Sequence, residues 1–237
     1  MLRLVLAFSV ALVFQTSAGD RADSRSVTPL LARIDHLVYA TTDLDRGIEE
    51  IERALGVRAT PGGQHPGRGT RNALVSLSPT SYLEIIAPDP NQPPPKGPRP
   101  FGIDELKESR LVAWAAKGED LEMLRKEAIR NGVPLGEVRS GSRRRADGVE
   151  LSWKATDYSA TLSNTVFPFL IDWGTSRHPA RSAAQGASLV SLRAEHPDPG
   201  RVELLLKQLG IVLKVTQGSR PTLIATIDCP RGRVELR

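Results

Sequence analysis

One pattern recurs three times along the chain, and it sets strong limits on the fold. An apolar strand leads into a capped amphipathic helix, the helix ends at a glycine, and further β-like runs follow. The three glycines are Gly56, Gly132 and Gly210, at nearly equal intervals. Glycine is the usual residue just past a helix end, and a fixed interval with a constant order of elements indicates an internal repeat. The pattern predicts an α+β fold built from βαβββ modules, against the alternative of a generic α+β chain with three helices.

Strand and helix signals divide the chain into three modules. In the first, an apolar run at residues 34–40 is followed by a helix capped by Asp43 or Thr42. We expect paired modules at residues 33–88 and 110–175, and a third, shorter βαβββ-like module at residues 187–237. That last module either completes the domain or pairs with its copy in a homodimer.

The N-terminal segment has the composition of a secretory signal peptide. A positive start is followed by an apolar run and by small residues that end at Ala18, the predicted cleavage site. The apolar run is shorter than the about 20 residues that a membrane-spanning helix needs. We therefore expect residues 1–18 to be removed, residues 19–31 to form a flexible tether, and the mature protein to be secreted or periplasmic with no retained membrane span.

Charge and cysteine content narrow the possible partners. The formal net charge is +5 and includes Arg3 of the predicted signal peptide, so the mature chain is modestly basic, which suits an anionic small molecule. Its few aromatic residues are not interleaved with basic ones, so nucleic acid is not an expected partner. The single cysteine, Cys229, excludes an internal disulfide, and an inert, partly buried thiol is expected there.

Two side chains on predicted strands are the main candidates for chemistry. His36 lies in the first strand of the first module, and Glu84 lies between Leu83 and Ile85 in the last. A carboxylate among apolar residues is costly to bury unless it has a partner. His36 is either a structural histidine or a contact to metal or substrate. Together the two suit Zn²⁺, Fe²⁺, Mn²⁺, Co²⁺ or Ni²⁺; without metal, Glu84 could act as a general base and His36 as a proton shuttle or electrophile.

Three irregular segments connect these elements. Residues 87–100 are too rich in proline for a helix or a central strand and are predicted to link the first two modules, with a recognition ligand as the alternative. A glycine-rich loop at residues 62–70 suggests either an anion site or a flexible turn. Its Gly67-Arg68-Gly69 does not open a helix, so no nucleotide cofactor is expected. The run Arg143–Arg145 is predicted to be a solvated loop, with an anion-binding lip as the alternative.

Several stretches between residues 33 and 180 carry a family pattern. They are Asp35-His36-Leu37-Val38, Tyr82-Leu83-Glu84, residues 62–72, residues 144–153, and residues 168–174 with His178-Pro179 after them. In these stretches the chain resembles the glyoxalase-like domain family of the vicinal oxygen chelate (glyoxalase/bleomycin resistance/dioxygenase) superfamily.

The resemblance implies a fold and a site. Paired βαβββ modules within residues 32–180 would form a cup-shaped sheet, and residues on first and last strands would hold a divalent metal. His36 and Glu84 are then the ligands from the first module. The position in the second module that corresponds to His36 is Val112, which cannot ligate, so the third ligand is expected to be Asp172 or His178. Candidate ligand-binding residues are His65, Arg68, Thr70, Asn72, Trp153 and Phe169.

The function that follows is a metal-dependent lyase, isomerase or dioxygenase acting on an oxygenated, anionic small molecule. The competing class is a non-catalytic protein that binds or sequesters a small molecule in the same cup.

Overall fold

The computed structural model describes residues 28–145, 148–158 and 166–237; the predicted signal peptide and most of the predicted tether lie outside the described residues. The elements in chain order are α1 (Leu30–Arg33), β1 (Ile34–Ala40), α2 (Leu44–Leu55), β2 (Thr60–His65), β3 (Thr70–Ser78), β4 (Ser81–Pro88), β5 (Arg110–Lys117), α3 (Leu121–Arg130), β6 (Val138–Arg144), β7 (Glu150–Thr156), β8 (Phe169–Asp172), β9 (Ser188–His196), α4 (Pro199–Gln208), β10 (Lys214–Gln217), β11 (Thr222–Cys229) and β12 (Gly232–Leu236). Short 3-10 helices occupy Pro100–Glu105 and Pro179–Arg181.

Eight strands close into a barrel in the order β1-β4-β3-β2-β6-β7-β8-β5. Each half of the barrel is one βαβββ module, in which the first strand pairs in parallel with the last. The halves meet at two antiparallel seams. The β1–β5 seam pairs strands along their length, whereas the β2–β6 seam consists of the single pair Gln64 and Arg144. The paired modules are confirmed, and the expected cup is curled into a closed barrel.

Helix α2 shows why the repeat could be read from the sequence. The Asp43 side chain accepts a hydrogen bond from the Arg46 backbone N–H at 2.9 Å, and Gly56 takes the left-handed conformation with φ of 72°. Without a Cβ, glycine adopts that conformation at little cost and ends the helix. No helix within the described ranges is long and apolar enough to cross a membrane.

Two strands lie where the sequence predicted loops. Strand β2 contains part of the glycine-rich segment, and β6 contains Arg143 and Arg144. The loop predictions were wrong for residues 62–65, 143 and 144, whereas residues 66–69 do form a turn. The two strands pair chiefly with their hairpin neighbours β3 and β7, so their polar residues sit in a barrel wall. Gly63, with φ of 142°, lies where the register of β2 against β3 shifts.

The third unit forms a separate four-stranded sheet in the order β10-β9-β11-β12. Its order of elements is the expected one, but its strand pairing differs from that of a barrel module. Here β9 pairs with β10 and β11, whereas the first strand of a barrel module pairs with the last strand of that module. Apolar residues such as Leu206 and Ile227 join the core that covers the outside of the barrel, and Leu111 N–H donates to Arg237 O at 2.9 Å.

The side chains of β1 point alternately to that outer core and to the interior of the barrel. Leu37 and Tyr39 belong to the outer core beneath α2. Val38 and Ala40 belong to an inner apolar cluster, and His36 lines the inner cavity. Because side chains on a strand point alternately to its two faces, the first strand contributes to both.

Candidate active site

A cavity of about 510 Å³ lies within the barrel. Polar side chains from five strands line it: His36, His65, Asn72, Glu84 and Arg143. The proline-rich segment predicted as a linker also forms part of the wall, through residues between Pro95 and Phe101. Cavities of this size with a few convergent polar groups are typical of small-molecule sites.

Asp35 holds the ring of His36. The carboxylate can only accept hydrogen bonds, so His36 Nδ1 carries the proton and donates to Asp35 Oδ1 at 2.8 Å. The Nε2 atom of His36 is then the ring atom left to act in the cavity. Tyr82 stacks on the same ring, with centroids 4.7 Å apart. Both contacts fix the orientation of the imidazole.

Asp35 is buried but has three partners. Burial raises the pKa of its carboxyl, but hydrogen bonds from His178 and His36 outweigh burial and lower the pKa to about 2. His178 accepts the Ala180 N–H at Nδ1 (3.3 Å) and donates from Nε2 to Asp35 at 3.1 Å. Trp173 Nε1–H also points at both carboxylate oxygens, 3.2 Å from each. Asp35 is therefore ionised and held in place near neutral pH.

Glu84 faces His36 across the cavity. Its Oε2 lies 3.9 Å from His36 Nε2, and its Oε1 accepts a hydrogen bond from Asn72 Nδ2 at 2.6 Å. Asn72 is held in turn by Arg143, whose Nη1 donates to Asn72 Oδ1 at 3.0 Å. A Cβ on Gly62 would collide with both Asn72 Oδ1 and Arg143 Nη1, so glycine at that position makes room for this arrangement.

His65 supports the site from β2 as a neutral ring. Its Nε2 lies 3.4 Å from Asn72 Nδ2 and 3.7 Å from Glu84 Oε1, and its Nδ1 lies 2.9 Å from Thr70 Oγ1. Burial lowers the pKa of His65; the charge of Glu84 opposes this shift, Arg143 and Arg68 reinforce it, and the pKa is about 4. At neutral pH, Asn72 can therefore donate one amide proton to Glu84 and the other to His65.

This neutral histidine predicts acid sensitivity. The pKa of His65 in the folded protein is below its ordinary value of 6.5, so between pH 6.5 and 4 the unfolded chain binds the extra proton. As the pH is lowered from 6.5 to 4, we expect the free energy of unfolding to fall by about 3 kcal/mol because of His65 alone. Urea denaturation at several pH values measures it. The loss should shrink in His65→Leu and persist in His196→Gln, a control outside the cavity; an unchanged slope in His65→Leu would contradict the assignment.

Arg143 and Tyr82 complete the polar end of the cavity. Burial lowers the pKa of the Arg143 guanidinium, and burial, with Glu84 nearby, raises the pKa of Tyr82 well above its ordinary range. Tyr82 is thus a neutral hydroxyl donor at physiological pH. The guanidinium offers several donors in a fork that suits a carboxylate or an enolate oxygen.

The structure brings most of the predicted ligand-binding residues together. His65, Arg68, Asn72, Trp153 and Phe169 line the cavity. Thr70 does not, because it lies behind His65 and fixes that ring.

The predicted third metal ligands lie elsewhere. Asp172 Oδ1 accepts the Gly174 backbone N–H at 2.8 Å, and Asp172 does not line the cavity. His178 uses Nε2 on Asp35. The expectation that either residue joins His36 and Glu84 is therefore not met: Asp172 is engaged with the turn after β8, and His178 with a buried carboxylate.

The donor set can be tested against the divalent metal that the resemblance implies. His36 Nε2 and Glu84 Oε2 are two suitable donors, but His65 Nε2 is engaged by Asn72. Within the described ranges, no three His, Cys, Asp or Glu side chains are placed to hold a metal ion. Catalytic zinc sites have three protein ligands. This set does not fit a resident metal.

The sequence did not single out Asp35, Tyr82 or Arg143 as site residues, nor the cavity residues Phe101 and Tyr158. Asp35 and Tyr82 were noted only as parts of family stretches. Arg143 was assigned to a solvated loop, although Arg139, Gly141 and Arg143 alternate with period two. Arg139 and Arg143 both line the cavity, and the ring of Trp153 approaches Gly141. Ser140, Ser142 and Arg144 on the other face of the strand are polar as well, so the sequence shows no polar and apolar alternation that marks which face points inward.

Comparisons with known proteins agree with this fold. A glyoxalase-like domain family model matches residues 34–210. A hypothetical protein from Staphylococcus aureus is 14% identical with a TM-score of 0.62, over 81% of this chain and 90% of that chain. A methylmalonyl-CoA epimerase from Streptomyces coelicolor, solved with 2-nitronate-propionyl-CoA, is 19% identical with a TM-score of 0.43, over 62% of this chain and 98% of that chain. The epimerase from Mycobacterium tuberculosis is 18% identical with a TM-score of 0.42, over 61% and 88%.

The search of curated proteins found no match. The Staphylococcus aureus protein shows a shared fold, and the two epimerases are too distant to support an argument about activity. The family model covers most of the chain, including both barrel modules and the start of the third unit. The chain therefore belongs to the glyoxalase-like domain family.

Proposed function

We propose that this protein is an enzyme that moves a proton at a carbon next to a carbonyl group, as isomerases and lyases do. One observation carries the proposal: His36 Nε2 and Glu84 Oε2 face each other at 3.9 Å inside the cavity, and each is held from behind, by Asp35 and by Asn72. General acid–base catalysis depends on proton-transferring groups held at fixed positions, and this site has two.

The roles follow from the contacts. Glu84 Oε2 takes the proton from the substrate carbon; the C–H electrons form a carbon–carbon double bond, and the π electrons of the carbonyl move to its oxygen, giving an enolate. His36 Nε2 stands 3.9 Å from Glu84 Oε2, so an approach of about 1 Å brings the two atoms to hydrogen-bond distance. At that distance His36 takes the proton from Glu84 and returns it at a different position. The imidazolium formed in between is stabilised by the ionised Asp35.

The enolate oxygen needs stabilisation, and the polar end of the cavity supplies it. Arg143 offers a buried positive charge and Tyr82 a neutral hydroxyl. Donors fixed in a site with little water are worth more than the same donors in bulk water. The isomerase or lyase assignment is preferred to the dioxygenase alternative because the acid–base pair is held in place and the side chains around it do not form a three-ligand metal set within the described residues.

Proton exchange tests the proposal directly. The methylene protons of phenylpyruvate lie next to its carbonyl, and their replacement by deuterium in D₂O can be followed by proton NMR. We expect the protein to accelerate this exchange above the buffer rate, with equal rates after chelator treatment and after addition of Zn²⁺. A rate that rises only with added metal contradicts the acid–base assignment. Tight binding without faster exchange favours the non-catalytic binding protein.

A further inference from the structure

The aromatic residues of this chain are concentrated at the cavity. The chain contains three Trp, three Tyr and five Phe, and nine of these eleven rings lie within the described residues. Six of those nine line this cavity: Tyr82, Phe101, Trp153, Tyr158, Phe169 and Trp173. A chain with so few aromatic residues would be expected to place them in its main core, where they bury most area.

Several of these rings are only partly buried. Phe101, Trp153, Tyr158 and Trp173 all keep some exposed surface, whereas Trp114, outside the cavity, is completely buried. Partly exposed rings that face into a concave site leave apolar surface in contact with water. Burial of that surface by a ligand is favourable.

The rings form two packed groups in the cavity lining. Trp153 and Trp173 pack with centroids 5.2 Å apart. In the other group, Phe101 lies 4.5 Å from Tyr158 and 6.0 Å from Phe169. Phe101 has a φ of 62°, which is rare for a bulky residue, and its backbone N–H donates to the Tyr158 hydroxyl at 2.6 Å. A strained conformation held by a hydrogen bond at a cavity wall is typical of a functional position.

The rest of the cavity lining carries more basic than acidic side chains. Four basic side chains line the cavity (Arg68, Lys96, Arg139 and Arg143) and two acidic ones (Glu84 and Asp157). Asp157 is paired with Arg139 at 3.1 Å. Arg143 is 3% exposed and gives a hydrogen bond to Asn72 beside Glu84. A buried guanidinium next to a proposed base is suited to bind a substrate carboxylate bidentately.

We infer that the ligand is a carboxylate that carries an aromatic ring on its side chain, with the ring against these aromatic residues and the carboxylate on Arg143. This deepens the proposed function, since it names the substrate class of the same site. It rests on the proposed function only for the position of the reacting carbon near Glu84.

Three probes separate the two halves of the ligand. Phenylpyruvate has both the ring and the carboxylate, pyruvate lacks the ring, and phenylacetone lacks the carboxylate. Isothermal titration calorimetry with the full folded chain should give a Kd for phenylpyruvate at least about tenfold below that of either other probe, since tenfold corresponds to about 1.4 kcal/mol. Equal affinity for pyruvate and phenylpyruvate, or no binding of phenylpyruvate, overturns the inference.

Variants assign each half to its residues. Trp153→Leu should weaken phenylpyruvate about tenfold and leave pyruvate unchanged, because it removes one ring and no charge. Arg143→Met should weaken both carboxylates and leave phenylacetone unchanged. Arg193→Met, on the outer sheet where Arg193 pairs with Glu235, is the matched control and should change none of the three. Uniform weakening of all probes by Trp153→Leu would overturn the inference.

Binding and exchange distinguish this inference from the proposed function. Selective binding of phenylpyruvate without exchange keeps the inference and refutes the enzyme. Faster exchange with pyruvate than with phenylpyruvate, together with equal binding, keeps the enzyme and refutes the aryl ligand.

Discussion

Glu84→Gln should lower the rate of methylene proton exchange in phenylpyruvate by about 10²–10⁴-fold, the range that a general base contributes. The amide oxygen of glutamine can still accept the hydrogen bond from Asn72, and the side chain has almost the same shape, so the fold and the affinity for phenylpyruvate should be preserved. The effect should therefore appear in kcat and leave the Kd from calorimetry nearly constant.

Two further variants make this result interpretable. Glu84→Asp keeps a carboxylate but withdraws it by one methylene group, so its rate should lie between those of the wild type and of Glu84→Gln. Glu235→Gln neutralises an exposed carboxylate on β12 and should exchange at the wild-type rate. Wild-type exchange by Glu84→Gln would falsify the assignment of Glu84 as the base.

The second large effect concerns stability and is expected at Trp114 on β5. This side chain is fully buried, and its Nε1–H donates to the Val166 carbonyl at 2.7 Å. Replacement of a buried tryptophan by alanine leaves a large cavity, and we expect Trp114→Ala to lower the free energy of unfolding by about 3–5 kcal/mol. Urea denaturation followed by circular dichroism measures this change.

The size of the replacement separates packing from hydrogen bonding at Trp114. Trp114→Phe keeps most of the ring and loses the hydrogen bond, so it should cost about 1–2 kcal/mol. Met123→Ala, at a side chain that is 51% exposed on α3, should have little effect. A loss in Trp114→Ala no larger than in Met123→Ala would show that β5 is not anchored by this residue.

The sequence was informative about the fold where local chemistry decides structure. The helix cap and the stop at Gly56 depend on one hydrogen bond and one backbone conformation. Of the two predicted caps, Asp43 and Thr42, the structure has Asp43, and Gly56 ends the helix as predicted. The strand pairing of the third unit depends on contacts between distant segments. Its order of elements therefore matches the barrel modules while its topology does not.

In the candidate site, too, the residues marked by their local sequence could be predicted, and those placed by contacts between distant segments could not. His36 and Glu84 could be predicted because each is a polar residue within an apolar strand. Arg143 could not be placed without knowing that β6 closes a barrel, since three consecutive arginines usually indicate a solvated loop. The prediction of a third metal ligand was not met for a related reason. Asp172 and His178 lie at and beyond the end of β8, but their side chains form hydrogen bonds with the Gly174 N–H and with Asp35.

The two seams of the barrel differ in the number of paired residues, and this difference determines where the barrel should open locally. The β2–β6 seam has one backbone pair, so local opening should start there and leave the β1–β5 seam as a hinge. Asn72 belongs to one half and Arg143 to the other, and their hydrogen bond crosses the weak seam. A ligand bound between Arg143 and the pair His36 and Glu84 would contact both halves of the barrel. Ligand binding and closure of the β2–β6 seam would then be thermodynamically coupled.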